Sequence, residues 1–401
     1  MFEINKDVFF VKGAVNGAIY DLVGEKVFSV NKTACEIIAR YCNETFADND
    51  AEYLNKLRAK HLIDEGFTAK ETTFEDDGRA ELEMAWLEIT QTCNLRCLHC
   101  YEGTVHKSSG NTLSLNEWKN VIEQLKHLNI KRTVVIGGEP CCHTNLMKIL
   151  EHILQEKIDV TLFTNGTLLN DAMINFIAQN NIRVKISVYG HCAEIHDKIT
   201  GVSGSFAKTE HSIKNLTSQG VPVEASVIIM KENQDFLSEI IAWTKENHMQ
   251  YHRYDTIREI GGGAQNAHAV TNKKTLSGVY MTKPNFKITK KNFLKNLHHN
   301  SCWYGKLVIT ENGDVLPCVF ERNRLYGNVR QNSLKNIIES ETTRKCWFMD
   351  FSKIQICRDC EFRFVCHDCR PVAAAVTGNF CGKNPRCRYD VYSGIWREVE
   401  S

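Results

Sequence analysis

The chain has 401 residues, with 49 basic against 48 acidic side chains and a formal charge of +1. Apolar residues make up 43% and charged residues 24%, the balance of a globular protein with a proper core and no positive excess to attract phosphates, so nucleic acid is not an expected partner. The N-terminus, MFEINKDVFF, lacks a secretory signal pattern and no apolar run approaches the ~18 residues of a membrane span, so a cytoplasmic protein without a membrane partner is expected.

In chain order, the first elements are short β-rich runs at Val8–Val11, Ala18–Leu22 and Lys26–Val30, separated by Gly13, Gly17 and Gly24 as in a three-stranded meander. Asn31 is placed to cap a helix over TACEIIARYC, a second helix covers Ala51–Leu62, and the acidic stretch Asp64–Arg79 has the composition of a linker. Strands followed by helices suggest a winged-helix-like unit. From Met84 the pattern alternates. Candidate strands are Trp86–Thr90, Arg132–Ile136, Val160–Thr164, Val184–Val188, Val223–Met230 and Tyr251–Ile257, with amphipathic helices at Leu115–Leu128, Leu146–Gln155 and Phe236–Asn247. Six β–α units predict parallel strands in an α/β fold, fewer than the eight of a closed barrel. The last hundred residues are short segments punctuated by Cys, Gly and Asn, too irregular to hold without bound metal.

Cysteine is the anomaly. There are seventeen, clustered, with nine after residue 300, and a reducing compartment argues for metal rather than disulfides. Cys93, Cys97 and Cys100, spaced CxxxCxxC after the first candidate strand of the alternating region, can hold three corners of a cubane and leave the fourth iron free for a ligand. A structural zinc loop would need a fourth ligand, and His99 between Cys97 and Cys100 is poorly placed to be one. Gly137-Gly138-Glu139-Pro140 follows the next candidate strand, and its backbone donors and carboxylate suit an ammonium-bearing ligand. Cys35 and Cys42, on one helix face, and Cys141 and Cys142 are expected to pack rather than react. Gly261-Gly262-Gly263 lacks the Lys-Ser/Thr of a phosphate loop and is taken as a turn. Asp255, Arg258 and Glu259 face either substrate or solvent.

The cysteine triplet in register with GGEP resembles the radical S-adenosylmethionine (radical SAM) enzymes. The resemblance implies a partial (β/α)6 TIM-like barrel and a 4Fe–4S cluster on Cys93, Cys97 and Cys100. It implies S-adenosylmethionine held by Gly137, Gly138, Glu139, Asn165 and Ser187, with His99 near adenine. Reductive cleavage of that cofactor would give a radical that takes a hydrogen atom from an unactivated carbon. His196-Asp197-Lys198-Ile199-Thr200-Gly201 matches the family's HDxxxG region, with Thr200 where relatives carry an arginine, so Lys198 or another residue would steady the cofactor carboxylate.

Cys302, ten residues, Gly313, four residues, Cys318, then Cys357, Cys360, Cys366, Cys369 and Cys387, resembles the SPASM extension of radical SAM peptide maturases. On that pattern Cys357, Cys360, Cys366 and Cys387 ligate an outer auxiliary cluster, and Cys302, Cys318 and Cys369 an inner one. Two residues rather than the usual three separate Cys366 from Cys369, and the inner fourth position is either an open iron or Cys346 or Cys381. The N-terminal segments Val11–Ala14 and Ile19–Leu22 look like those of grasp-with-spasm and thioether-forming peptide maturases. The domains so implied are a peptide-recognition unit (1–83), a radical SAM core (84–285) and a SPASM domain (286–401). The implied activity is oxidative cross-linking of a precursor peptide bound through its leader by strand addition, most simply as a Cys thioether. A carbon–carbon or carbon–oxygen link and formylglycine formation are the alternatives; Val319, where sulfatase maturases carry an acid, argues against the last. A flavodoxin or ferredoxin is the implied reductant, and oligomeric state is left open.

Overall fold

Alternating β-branched and aromatic residues between tight turns draw the N-terminal residues into four antiparallel strands: β1 (Phe2–Asn5), β2 (Val8–Lys12), β3 (Gly17–Asp21) and β4 (Lys26–Val30). The Asn31 side chain accepts from the Ala34 N–H at 2.9 Å and starts α1 (Lys32–Cys42), which is followed by α2 (Ala51–Arg58). The computed structural model describes residues 1–76, 78–103, 110–251, 253–264, 267–283 and 285–399. Two units emerge, one of Met1–Arg79, Tyr280–Tyr304 and Trp347 onward, the other of Ala80–Val279 and Gly305–Cys346.

In the first unit the sheet has five strands, ordered β4-β3-β2-β1-β5. The acidic stretch expected to be a linker contributes β5 (Lys70–Glu71), because an unpaired β1 edge offers it a partner at Phe2↔Glu71 and Glu3↔Lys70. Val8, Phe9, Phe10 and Val11 are all buried, so β2 is covered on both faces. One face packs Val8, Phe10 and Ile19 against Cys35, Ile38, Cys42, Leu54 and Leu57 of the helices. The other packs Phe9, Val11 and Tyr20 against Phe293, Phe362, Phe364 and Tyr389. The Tyr20 ring lies 5.1 Å from Phe293, and its hydroxyl donates to the Glu361 carbonyl at 2.7 Å. At the β4 edge the Val27 N–H donates to Phe286 (2.9 Å) and the Ile288 N–H to Glu25 (3.2 Å).

In the second unit six parallel strands follow chain order: β6 (Met84–Glu88), β7 (Arg132–Ile136), β8 (Asp159–Thr164), β9 (Arg183–Val188), β10 (Val223–Ile229) and β11 (Tyr254–Thr256). Between them run α3 (Leu115–His127), α4 (Leu146–Gln155), α5 (Asp171–Gln179), α6 (Ala193–Thr200), α7 (Ser205–Ser218) and α8 (Leu237–Glu246). After β6, on its other side, β12 (Lys306–Ile309) pairs parallel, and β13 (Asp314–Leu316) and β14 (Gly327–Asn328) continue antiparallel. The nine-stranded sheet thus extends past β6 instead of closing, as six units predict. Burial alternates strictly along β8, β9 and β10, leaving Phe163, Lys185, Ser187, Glu224 and Ser226 half-exposed on one face, where Lys185 bonds Glu224 at 2.6 Å. No described helix is long and apolar enough to cross a membrane.

Tyr20→Phe keeps the ring and strips the bond to Glu361. With that carbonyl left unpaired in the core, unfolding free energy should fall by about 1–2 kcal/mol, read as a lower urea midpoint at unchanged slope. An unshifted midpoint would show that the bond contributes nothing.

Candidate cluster and cofactor site

The loop from Thr92 to Tyr101 carries the three thiols and has no helix or strand of its own. Backbone bonds hold it from three sides. The Gly138 and Glu139 N–H groups donate to Thr90 (2.7 Å) and Thr92 (2.9 Å). The Arg96 and Leu98 N–H groups donate to Thr200 (2.9 Å) and Ile199 (3.0 Å). The Gly262 N–H donates to Cys100 at 2.8 Å. Each approach excludes a side chain: a Cβ on Gly137 would meet the Thr90 oxygen at 2.3 Å, on Gly201 the Arg96 oxygen at 2.8 Å, and on Gly262 the Leu98 oxygen at 2.7 Å. Gly261–Gly263, expected to be only a turn, is therefore a clamp on the cysteine loop.

Burial raises the Cys97 thiol, and Cys100 and Cys93 add to the rise; Cys100 is pushed up to about 12 by burial and by Cys93. The three sulfurs are thus close enough to repel, and deprotonating them awaits a cation. Among the described residues no three Cys, His, Asp or Glu side chains close on a single ion. A cubane sets its thiolates one to an iron, and three thiols on one short loop suit it.

Glu139 is fully buried. Its carboxylate accepts from the Thr164 hydroxyl (2.6 Å), the Cys141 N–H (3.0 Å) and the Asn165 N–H (2.7 Å), so it fixes the ends of β7 and β8 and keeps about one acceptor position for a ligand. Burial pushes its pKa up against those bonds. The Asn165 side chain bonds Asn94 (3.0 Å) and Thr167 (2.8 and 2.6 Å), tying the β8 exit to the cysteine loop. Cys141 packs beside Thr164 (3.8 Å) and burial raises its thiol, as a packing role requires. His99 is pulled down to about 4, chiefly by burial, so it is neutral at pH 7. Its Nδ1 is shut from solvent with no partner among the described residues, a donor or acceptor position of the kind an adenine would use.

Tyr189, just past Ser187 at the end of β9, is a residue that sequence reasoning missed. Its ring packs on His99 (4.8 Å) and His196 (5.4 Å), and its hydroxyl interacts with Ser187 and Cys97. The HDKITG segment is scaffolding. Asp197 accepts from Gly204 (2.6 Å), Ser205 (2.7 Å) and Phe206 (2.7 Å), capping α7, and Thr200 bonds Ser205 at 2.7 Å. Lys198 is exposed, unlike its buried neighbours Ile199 and Thr200.

Also unforeseen is an ionic cluster beside Cys100. Arg322 bonds both oxygens of buried Glu88 (3.2 and 2.6 Å) and pairs with Glu102, and its guanidinium covers the Tyr101 ring at 5.3 Å. Burial pushes Glu88 up while Arg322 pulls it back. Tyr101 meets Phe320 edge-on at 5.7 Å, and Arg258 lies 4.0 Å over Phe320 while pairing with Asp255 at 3.1 Å. Arg258 and Asp255 therefore belong to this cluster rather than to a solvated face.

In the first unit, Cys366 is raised by burial, by Asp368 and further by Cys357, Cys387 and Cys360, and Cys360 by burial, by Glu361 and by Cys357 and Cys387, so these four thiols lie within electrostatic reach of one another. The Cys302 thiol accepts from the Arg370 N–H at 3.4 Å, which brings it beside Cys369. Arg370 is wholly buried. It donates to the Phe380 and Gly382 carbonyls (2.6 and 2.8 Å) and to Asp368 (2.8 Å), fastening the segments around Cys369 and Cys381. The Cys381 carbonyl accepts from the Gln355 N–H at 2.8 Å. In the second unit, Cys318 accepts through its carbonyl from Glu321 (3.0 Å), and Cys346 is buried beside Tyr326 and Arg324.

Gly262→Ala adds one methyl where the Leu98 oxygen sits 2.7 Å away, without a positive φ. It should cost roughly one cluster's iron per chain, measured by iron and sulfide content after reconstitution. Gly66→Ala, whose Cβ meets nothing within 4 Å, should keep its iron. His196, buried and lowered to about 4, sets a pH dependence: it is neutral when folded and takes a proton more readily when unfolded. Its contribution is complete above the ordinary pKa of ~6.5 and is lost as pH falls toward 4, by about 2–3 kcal/mol at pH 4.5. His196→Gln should flatten the fall in urea midpoint over that range.

The radical SAM superfamily signature matches residues 87–243, and that of the SPASM iron–sulfur cluster-binding domain matches 302–361. The antilisterial bacteriocin subtilosin biosynthesis protein AlbA of Bacillus subtilis is 27% identical over 361 residues, covering 84% of this chain and 80% of that one. An AdoMet-dependent heme synthase of Methanosarcina barkeri is 26% identical over 337 residues, 76% of this chain and 96% of the other. Streptococcus suis SuiB bound to its precursor peptide SuiA has the same fold, with a TM-score of 0.59 at 14% identity over 92% and 96% of the two chains. The clamped thiol loop and these matches agree, and the chain belongs to the radical SAM superfamily, as an enzyme that uses S-adenosylmethionine and a 4Fe–4S cluster and carries a SPASM domain for auxiliary iron–sulfur clusters.

Proposed function

We propose that this enzyme matures a ribosomally made precursor peptide by oxidative cross-linking, joining a Cys sulfur to a carbon as a thioether. The observation that carries the reading is the likeness to AlbA along 84% of the chain, since AlbA serves the biosynthesis of a bacteriocin. When bound, S-adenosylmethionine and its cluster supply the radical that takes the carbon's hydrogen, and an auxiliary cluster takes the remaining electron.

The rest falls to the chain. Cys93, Cys97 and Cys100 hold the first cluster on the clamped loop. Gly137, Gly138 and Glu139 receive the amino end of the cofactor, Asn165 and Ser187 its ribose and methionyl parts, and neutral His99 its adenine. Cys357, Cys360, Cys366 and Cys387 ligate the outer auxiliary cluster, and Cys302, Cys318 and Cys369 the inner one. Residues 1–83 recognise the leader, 84–285 form the radical core and 286–401 the cluster domain. The leader adds beside the Phe28–Val30 half of β4, next to α1, since the Val27 end of that edge already pairs with Phe286. A cytoplasmic setting with a flavodoxin or ferredoxin as reductant completes the picture.

A second reading, heme synthesis, is favoured by the match to 96% of the heme synthase. One experiment separates the two: anaerobic incubation of the reconstituted enzyme with reductant, S-adenosylmethionine and a cysteine-bearing peptide encoded beside it. A loss of about 2 Da per link with thiols that no longer alkylate is the expected result. The same loss with every thiol free would replace the thioether by a carbon–carbon or carbon–oxygen link. An unchanged peptide alongside conversion of a tetrapyrrole would overturn peptide maturation.

A further inference from the structure

Just past the end of β10, the Glu232 carboxylate bonds the His268 imidazole, Oε1 to Nδ1, at 2.5 Å. The backbone seals the pair, since the Lys231 N–H donates to the His268 carbonyl at 2.9 Å. The other carboxylate oxygen, Oε2, is shut from solvent with no partner among the described residues. Buried acceptors are almost always paired, and one left over beside a binding site calls for a donor from outside the protein. Two separate connections bring this pair to His99. Asn233, next in the chain, donates to the Tyr189 carbonyl at 2.8 Å, and the Tyr189 ring packs on His99 at 4.8 Å. From the other side, the Gly261–Gly263 clamp touches the backbone at Leu98 and Cys100, on either side of His99, and the same segment runs on to His268. His99 accordingly feels both partners: after burial, His268 pulls its pKa down and Glu232 pulls it up.

Two orphaned polar atoms, Glu232 Oε2 and His99 Nδ1, thus share one neighbourhood beside the cysteine loop. The carboxylate oxygen accepts, and the neutral imidazole nitrogen can donate. Such a pair is complementary to the edge of an aminopurine, where an exocyclic amino donor stands beside a ring-nitrogen acceptor. A 6-oxo purine would set an oxygen against the carboxylate, acceptor against acceptor. We infer that Glu232 accepts from the 6-amino group of the cofactor's adenine and that His268 is the positioning residue that aims it, so that the enzyme selects an adenosyl over an inosyl sulfonium. Neither residue takes part in bond cleavage; both act in binding and orientation. The inference rests on the proposed placement of His99 at the adenine and adds to it the carboxylate that reads the base.

The test measures binding alone, by anaerobic equilibrium dialysis on the reconstituted, unreduced full-length enzyme, with S-adenosylmethionine and its 6-oxo counterpart S-inosylmethionine as ligands. The parent should prefer the adenosyl form about a hundredfold. Glu232→Gln, whose amide can donate to a 6-oxo group, should bring the two affinities within about threefold of each other. His268→Leu should cut the preference about tenfold, and His268→Gln, which keeps a donor for the carboxylate, should restore most of it. Each preference is a ratio within one preparation, so a variant that loads only part of its iron still reports it. Glu246→Gln, exposed at the end of α8, should keep the parent's ratio. Equal affinities in the parent, or an unchanged ratio in Glu232→Gln, would overturn the inference. So would equal weakening of both ligands by Glu232→Gln, which would leave that carboxylate to the ribose or to the scaffold. His99→Leu examines the underlying placement separately: an affinity for S-adenosylmethionine unchanged from the parent would separate His99 from the adenine, while the ratio in Glu232→Gln still decides for Glu232.

Discussion

Everything at the core of this enzyme depends on holding an irregular ten-residue loop still. Thr92–Tyr101 has no internal ladder, so its geometry comes from backbone groups that approach from the ends of β6, β7 and α6 and from the segment after β11. Glycine is required at those contacts because the carbonyls of Thr90, Arg96 and Leu98 occupy the space a Cβ would take. The clamp fixes where three thiols sit before any metal arrives. It also explains why a motif as weak as Gly-Gly or Gly-Gly-Gly carries meaning in this chain.

Around the loop, polar groups are buried in hydrogen-bonded sets. Glu139 accepts from three donors and keeps about one acceptor position, Asp197 caps α7 with three more, and Arg322 is shared between Glu88 and Glu102. Isolated charges at such depth would be costly, and networks with most positions satisfied are rigid. Rigidity is what a radical enzyme asks of its protein, since the site must present one C–H bond and exclude competing atoms.

In the first unit the physical logic differs. A short sheet is buried on both faces, on one by its own helices and on the other by the cysteine-rich segments near the C-terminus. Aromatic rings from Phe9, Tyr20, Phe293 and Phe364 supply the contact that short irregular segments cannot build for themselves, and Arg370 ties their loops together from inside. The alternation of strands and helices from Met84, the Asn31 cap and the extents of β7 and α4 were legible in the sequence, because periodicity and capping are local. The β5 strand was not, since Lys70-Glu71 has no strand signature and forms only because β1 offers an edge.

Spacing alone singled out the CxxxCxxC thiols of Cys93, Cys97 and Cys100, because chemistry that needs several thiolates writes itself as short intervals along the chain. It likewise singled out GGEP, since a glycine pair and a carboxylate directly after a strand form a local pattern. What the tertiary structure decided is contact between residues far apart in sequence: Tyr189 against Cys97 and His99, Gly262 against Cys100, Arg322 with Glu88, Arg370 beside Cys302. None of these pairs shares a motif. Each exists because strand order and loop closure bring two surfaces within bonding distance, and no one-dimensional pattern records that distance.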